Sequence, residues 1–151
     1  MTALNETIFQ AAVLSYPQQY SFFDRFMERS AVVHKVLLTD DRIASRKGLR
    51  ALMLTQPDIQ VVGEAKNGVQ AIQFIEKYKP DVVLMDVFMP KMNGLEATRI
   101  IKERWRNIRV VILTLHDDIR EEALSAGADA FLVKGCSPDQ LIQEIKNERS
   151  E

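Results

Sequence analysis

The sequence predicts an α/β fold in which a doubly wound, five-stranded parallel sheet carries helices on both faces. Short apolar runs such as Val82 to Met85 alternate along the chain with stretches whose apolar residues recur at helical spacing. The runs are apolar at every position, which is typical of strands buried on both faces of a parallel sheet. With 151 residues, 46% of them hydrophobic, the chain is long enough to bury a core around such a sheet.

The predicted elements alternate regularly from Lys35 onwards. Turn and capping residues mark their ends: Pro57 lies in a turn, Asn67 can cap a helix, Pro80 ends that helix, and Gly127 closes a later one. The strands are predicted at 36–39, 59–62, 82–85, 108–113 and 130–133. The helices are predicted at 42–54, 67–79, 94–105, 118–126 and 138–148.

Residues 1–34 differ from the rest and are predicted to form an N-terminal extension before a domain at 35–149. The extension holds six of the eleven aromatic residues and, up to Phe23, a single charged side chain. Two short helices are predicted within it, at 7–14 and 22–29. Two interpretations remain open: a leader packed on its own domain or a tail, and an arm for partner docking or self-association.

Composition narrows the function classes. The net charge of −1 gives no reason to expect nucleic-acid or membrane binding by this chain. The single cysteine, Cys136, cannot form an internal disulfide, which fits a reducing compartment. No apolar run approaches the ~20 residues of a membrane span, and the N-terminus lacks the features of a signal peptide. We therefore expect a cytoplasmic protein.

Polar residues follow four of the five predicted strands. Because the carboxyl ends of parallel strands meet at one edge of the sheet, where ligands bind in this architecture, these side chains are predicted to form one site. Two follow the first strand, and one follows each of the third, fourth and fifth. They are Asp40, Asp41, Asp86, Thr114 and Lys134.

These residue types suit phosphoryl transfer. Three carboxylates at about 4 Å repel one another by roughly 1–4 kcal/mol a pair, and a Mg²⁺ ion removes that cost while keeping positions for phosphate oxygens. Asp86 then becomes a shielded carboxylate nucleophile that can attack phosphorus. Lys134 and Thr114 can bind the phosphoryl oxygens, since such transfer depends mainly on positioning and charge stabilisation.

Four segments carry a recognisable pattern: DD at 40–41, DVVLMDVFMPKMNGLEATRIIK at 81–102, VVILT at 110–114 and AGADAFLVK at 126–134. They resemble the receiver domain of bacterial two-component response regulators. The runs GLRALM, VVGEAKNG and MNGLEAT are similar to its NarL/FixJ subfamily in particular. The resemblance covers about 35–149 and implies a flavodoxin-like sheet with strand order 2-1-3-4-5.

The resemblance implies a role for each site residue. Asp86 would accept a phosphoryl group from a sensor histidine kinase. Magnesium would be bound by Asp41, Asp86 and the backbone carbonyl of Phe88, with Asp40 acting through water. The expected chemistry is self-phosphorylation and autodephosphorylation only, so the chain is not expected to be an enzyme acting on other substrates.

The resemblance also implies a conformational switch. Thr114 would be the switch hydroxyl, Lys134 the phosphate partner and Phe131 an aromatic that changes rotamer on activation. A phosphoryl group beside Thr114 would draw its hydroxyl inward and free space for Phe131. The surface formed by the fourth helix, fifth strand and fifth helix would then be remodelled for a downstream protein target or a second copy of the chain.

The resemblance leaves two biological roles open. One is a stand-alone receiver that signals by binding a protein or by dimerising. The other is the receiver part of a DNA-binding transcriptional regulator whose helix-turn-helix domain is missing from this chain. A phosphohydrolase of the haloacid dehalogenase type is an alternative from another class, but it needs a D-x-D pair, and Asp86 is followed by Val87 and Phe88.

Two bulky residues flank the predicted site. Phe88 lies two residues beyond Asp86, and Leu115 follows Thr114, where small or polar residues are more usual in the family. We expect both side chains to restrict the access of water and phosphodonor to Asp86, so that its acyl phosphate would be long-lived. His116 is either a loop residue facing solvent or a residue that assists a hydrolytic water.

Overall fold

The computed structural model describes residues 32–147. The helices predicted at 7–14 and 22–29 lie outside the described residues, as does the end of the helix predicted at 138–148. Among residues 32–147, no helix combines the length and the apolar composition that crossing a membrane requires.

The described chain alternates strands and helices, as the sequence predicts. The strands are β1 (His34–Thr39), β2 (Ile59–Ala65), β3 (Val82–Met85), β4 (Arg109–Thr114) and β5 (Ala130–Val133). The helices are α1 (Ile43–Leu54), α2 (Gly68–Tyr78), α3 (Gly94–Arg104), α4 (Arg120–Ser125) and α5 (Pro138–Lys146), and a 3₁₀ turn (Asp117–Ile119) precedes α4.

The five strands form one parallel sheet in the order β2-β1-β3-β4-β5. This confirms the doubly wound fold and the strand order 2-1-3-4-5. The chain moves outward in one direction from β1 to β2 and in the other from β3 to β5, so the order reverses between β1 and β3. In such sheets the ligand site lies beyond the carboxyl ends of the strands at this reversal.

The sheet buries a separate apolar cluster on each face. Alternate strand residues point to opposite sides, so Leu37, Val83 and Val110 lie in one cluster and Val36, Val82 and Val111 in the other. The first cluster is covered by α2, α3 and α4, and the second by α1 and α5. Both faces are dry, which explains why the strand sequences are apolar at every position.

Three helices begin at residues whose side chains cap them. The Asn67 carbonyl Oδ1 accepts the Gln70 N–H at 2.9 Å, as the sequence predicts. Asn93 caps α3, and Ser137 opens α5 with a capping box shared with Gln140. Each of these helices follows the carboxyl end of a strand, so the caps fix where the loop at that end must turn.

Several boundaries differ from the prediction. β2, for example, continues to Ala65, three residues beyond its predicted end at 62. β1 begins at His34, two residues early, because the His34 N–H already donates to the Asp58 carbonyl at 2.8 Å. The helix predicted at 118–126 is a 3₁₀ turn followed by the short helix α4. Neither of these two elements has a side-chain cap, and Ile119, the last residue of the 3₁₀ turn, has non-helical angles, φ −104° and ψ 16°.

Candidate functional site

The predicted carboxylates lie together at the carboxyl edge of the sheet. β1 and β3 are neighbours, so Asp40 and Asp41, which follow β1, are brought beside Asp86, which follows β3. Each of the three offers a carboxylate oxygen, and these oxygens lie within 4.8 Å of one another. Oxygen donors at such spacing fit a hard divalent cation, and Mg²⁺ in particular accepts a few carboxylates while retaining other ligands.

Lys134 joins two of these carboxylates. Its ammonium Nζ lies 2.7 Å from Asp40 Oδ2 and 3.2 Å from Asp86 Oδ2. Asp40 is almost fully buried, with 2% of its surface exposed, and its other oxygen, Oδ1, accepts the Arg42 N–H at 2.9 Å. The ammonium therefore balances part of the negative charge that the fold places out of water.

The Asp86 carboxyl is held in an environment that disfavours its charge. Burial raises the pKa of Asp86 above its ordinary value, and the negative charge of Asp40 raises it further. The Lys134 ammonium and the hydrogen bond from the Val87 N–H lower this pKa, but they do not cancel the effect of burial. A further cation at the site would thus favour the ionised, nucleophilic form of Asp86.

Thr114 and Lys134 are held side by side by adjacent strands. Thr114 is fully buried at the end of β4, and its hydroxyl Oγ1 accepts the His116 N–H at 3.3 Å. The Lys134 N–H donates to the Thr114 carbonyl at 2.7 Å, which continues the pairing of β4 with β5. The predicted hydroxyl and ammonium therefore reach the same edge as Asp86.

Phe131 lies below this edge, on β5. It is 5% exposed and packs in the same apolar cluster as Ala123 and Val133. The guanidinium of Arg120, the first residue of α4, lies 4.8 Å from the centroid of its ring. The Phe131 ring thus lies between the apolar cluster and Arg120, and its role as a switch aromatic stays a prediction.

The site opens to solvent through a small pocket of about 80 Å³. At its mouth Phe88 and Leu115 expose about half of their surface, 55% and 56%. The Phe88 and His116 rings meet edge to face, with centroids 4.5 Å apart. The pocket is lined by Asp41, Arg42, Asp86, Phe88, Thr114, Leu115, His116 and Lys134.

Two arginines near the site were not predicted from the sequence. Arg46 is 7% exposed; its Nη1 donates to the Asp40 carbonyl at 2.6 Å, and its Nε lies 3.3 Å from Glu64 Oε1. It therefore fastens the loop that carries Asp40 to β2. A signal was present, since Arg46 precedes Leu49 and Met53 at the spacing of one helix face. Arg42, the second of them, lines the pocket itself.

Gly94 allows the loop after Asp86 to fold back on itself. The Gly94 N–H donates to the Val87 carbonyl at 2.8 Å, at the start of α3. A Cβ atom on Gly94 would lie 1.9 Å from the Asp86 carbonyl oxygen. Only a glycine therefore permits this approach of backbone to backbone, directly behind the central carboxylate.

Comparison with known proteins agrees with this geometry. Residues 36–146 match the family described as the response regulator receiver domain. The chain is 37% identical over 114 residues to the transcriptional regulatory protein DegU of Brevibacillus brevis, covering 74% of this chain and 48% of that protein. It is 39% identical over 112 residues to the nitrate/nitrite response regulator NarL of Escherichia coli K12, covering 73% and 52%.

Solved structures show the same architecture. The response regulator domain of Thermotoga maritima CheB superposes with a TM-score of 0.70 at 33% identity, covering 76% of this chain and 94% of that one. A DNA-binding response regulator of the LuxR family from Staphylococcus aureus gives 0.71 at 30% identity, covering 75% and 96%. The chain spans about half the length of the curated relatives DegU and NarL.

Proposed function

Since this chain belongs to the response regulator receiver domain family, we propose that it is a phosphorylation-controlled signalling domain in which Asp86 accepts the phosphoryl group. One observation carries the proposal: the Lys134 ammonium bridges Asp40 and Asp86, at 2.7 and 3.2 Å, beside a cluster of three carboxylates. A structural ion pair alone would need neither the third carboxylate nor an opening to solvent at this point.

Each residue of the site has a separate task. An Asp86 carboxylate oxygen attacks the phosphorus of the donor, and the bond from phosphorus to the leaving group breaks. Lys134 binds one phosphoryl oxygen, and the Thr114 hydroxyl donates to another. Lys134 directly follows β5, its backbone N–H bonds to the Thr114 carbonyl, and its ammonium already lies 3.2 Å from Asp86 Oδ2, so it is positioned before the donor arrives and little reorganisation is needed.

We further propose that Asp40, Asp41 and Asp86 hold a magnesium ion, together with the backbone carbonyl of Phe88. Their carboxylate oxygens are close enough to share one cation, and Phe88 lines the same pocket. Bound there, Mg²⁺ would neutralise the repulsion among the carboxylates and stabilise the charge of the phosphoryl oxygens. The raised pKa of Asp86 supports this proposal, because burial and the negative charge of Asp40 both disfavour the ionised carboxyl, and a bound cation would favour it.

The proposed phosphodonor is a sensor histidine kinase, acting in the cytoplasm, and the proposed readout is the surface of α4, β5 and α5. This surface contains Arg120 and Phe131, and it adjoins Lys134. Its target is a downstream protein, a second copy of the chain, or a DNA-binding domain of the same regulator, as in relatives named as transcriptional regulators. The dehalogenase-type phosphohydrolase has no support, because Asp86 lacks the second aspartate that its chemistry requires.

The proposal is tested by incubating the chain with Mg²⁺ and acetyl phosphate and measuring its intact mass. We expect one phosphoryl adduct on the wild type and none on Asp86→Asn, because the amide is not a nucleophile. Asp139→Asn, which changes an exposed carboxylate at the start of α5, serves as the matched control and should retain the adduct. An adduct that persists on Asp86→Asn would show that another residue is the acceptor.

The two exposed apolar side chains at the pocket mouth are predicted to slow hydrolysis of the acyl phosphate. Phe88 and Leu115 lie on different loops that line the pocket, and the Phe88 ring contacts the His116 ring, next to Leu115. Phe88→Asn should therefore lose its phosphoryl group several-fold faster than the wild type. Release of radiolabelled phosphate measures the rate, and loss no faster than from the wild type would contradict this role of Phe88.

A further inference from the structure

Arg42 is fixed beside the mouth of the acidic pocket. Its backbone is anchored twice: its N–H donates to Asp40 Oδ1 at 2.9 Å, and its carbonyl accepts the Arg46 N–H at 3.2 Å. Its side chain is exposed and lines the same pocket as Asp86. Within residues 32–147, no carboxylate lies within ion-pairing distance of the Arg42 guanidinium, whereas Lys134 has two such partners.

The cations of the pocket are therefore not equivalent. Lys134 lies on the inner side, already bonded to both Asp40 and Asp86, and the fully buried Thr114 lies beside it. These groups can reach the oxygens of a phosphoryl group bound at Asp86. Arg42 is exposed and forms no ion pair with any carboxylate of residues 32–147, so among these residues its guanidinium is available to a group farther out.

In-line transfer places the leaving group opposite the attacking Asp86 oxygen, and the donor lies in the pocket that Arg42 lines. We propose that Arg42 binds the leaving group of a small-molecule phosphodonor, which favours acyl phosphates, whose leaving group is a carboxylate, over phosphoramidate. This inference rests on the proposed function of Asp86. It adds the chemical class of small-molecule donor that the site prefers and the residue that sets the preference.

The reaction with an acyl phosphate needs no proton. An Asp86 carboxylate oxygen forms a bond to phosphorus, the bond between phosphorus and the acyl oxygen breaks, and its electron pair leaves with the carboxylate. Negative charge therefore grows on the leaving group, where a guanidinium stabilises the transition state more than the bound donor. With phosphoramidate the bond from phosphorus to nitrogen breaks and neutral ammonia leaves, so this stabilisation does not arise.

The test compares two donors on the full chain with Mg²⁺ at constant ionic strength. Rates of adduct formation with acetyl phosphate and phosphoramidate are measured by intact mass on the wild type, Arg42→Gln and Lys47→Gln. Lys47 is an exposed cation on α1 that does not line the pocket, so its variant controls for net charge. Thermal midpoints and beryllofluoride affinity are measured in parallel, since beryllofluoride resembles the phosphoryl group without a leaving group.

We expect Arg42→Gln to slow the reaction with acetyl phosphate about tenfold, the effect of one charge-assisted hydrogen bond, and to slow the reaction with phosphoramidate less than about twofold. Its thermal midpoint and beryllofluoride affinity should match those of the wild type, and Lys47→Gln should change neither rate. Equal slowing with both donors, weakened beryllofluoride binding, or no slowing at all would overturn the inference. A wild type that forms no adduct with either donor would overturn the proposed function and this inference with it.

Discussion

Gly94→Ala is expected to destabilise the domain severely, by roughly 4 kcal/mol or more, which is a large part of the 5–15 kcal/mol typical of whole proteins. The added methyl group would lie 1.9 Å from the Asp86 carbonyl oxygen and 2.9 Å from its carbonyl carbon. Both atoms belong to the backbone at the end of the central strand β3, so neither can rotate away. The loop must open, which breaks the hydrogen bond from the Gly94 N–H to Val87.

Gly48→Ala provides the matched control for this prediction. Gly48 lies in the interior of α1, and an added methyl group would meet no atom within 4 Å. Alanine there should therefore stabilise the domain by about 0.5–1 kcal/mol, because it favours the helix over the unfolded chain. Urea unfolding of both variants measures the two effects. A Gly94→Ala midpoint within error of the wild type would mean that the loop after Asp86 is not packed as described.

Lys134→Met is expected to cost roughly 3 kcal/mol of unfolding free energy at pH 7, as removing one partner of a buried ion pair typically does. The substitution keeps the length of the side chain but leaves the buried Asp40 and the largely buried Asp86 without their shared ammonium. It also removes the positive charge that lowers the pKa of Asp86, so this pKa should rise further in the variant.

The sign of the pH dependence follows from this change. A carboxyl whose folded pKa lies above its unfolded value binds protons more tightly in the folded state, so stability falls as the pH rises through the folded pKa. Lys134→Met should therefore lose more stability than the wild type as the pH rises from the acidic range to neutrality. Urea midpoints at several pH values measure the difference in stability between the wild type and Lys134→Met, with Lys47→Met as an exposed control. A stability difference between the two proteins that stays constant with pH would contradict this account of the ion pair.

The fold and the residues that meet at the site are predictable from the sequence because they depend on short-range patterns. The short apolar runs 82–85 and 110–113, bounded by polar and turn residues, favour strands buried on both faces, and parallel pairing then brings the residues that follow each strand to one edge of the sheet. Asp86, Thr114 and Lys134 needed no further information to be placed together. Proline and asparagine fixed the ends of α2 for equally local reasons.

Other features depend on contacts between distant residues and left weaker signals. From the sequence alone, an arginine on α1 is expected to be exposed. Only the three-dimensional packing shows that Arg46 is buried between the Asp40 carbonyl and Glu64. Neither the 3₁₀ turn nor α4 has a capping side chain. The sequence therefore carried no local signal that residues 117–125 divide into a 3₁₀ turn and a short helix. The roles of Phe88 and Leu115 remain predictions, although their exposure at the pocket mouth is as expected.

The packing of Phe131 has a consequence for how β5 and α4 respond to each other. The ring is 5% exposed, and the guanidinium of Arg120, the first residue of α4, lies 4.8 Å from its centroid. Because protein interiors are densely packed, a change of the Phe131 rotamer would displace Arg120 and with it the first turn of α4. A spectroscopic probe attached near the start of α4 would therefore report on the conformation of a side chain in the interior.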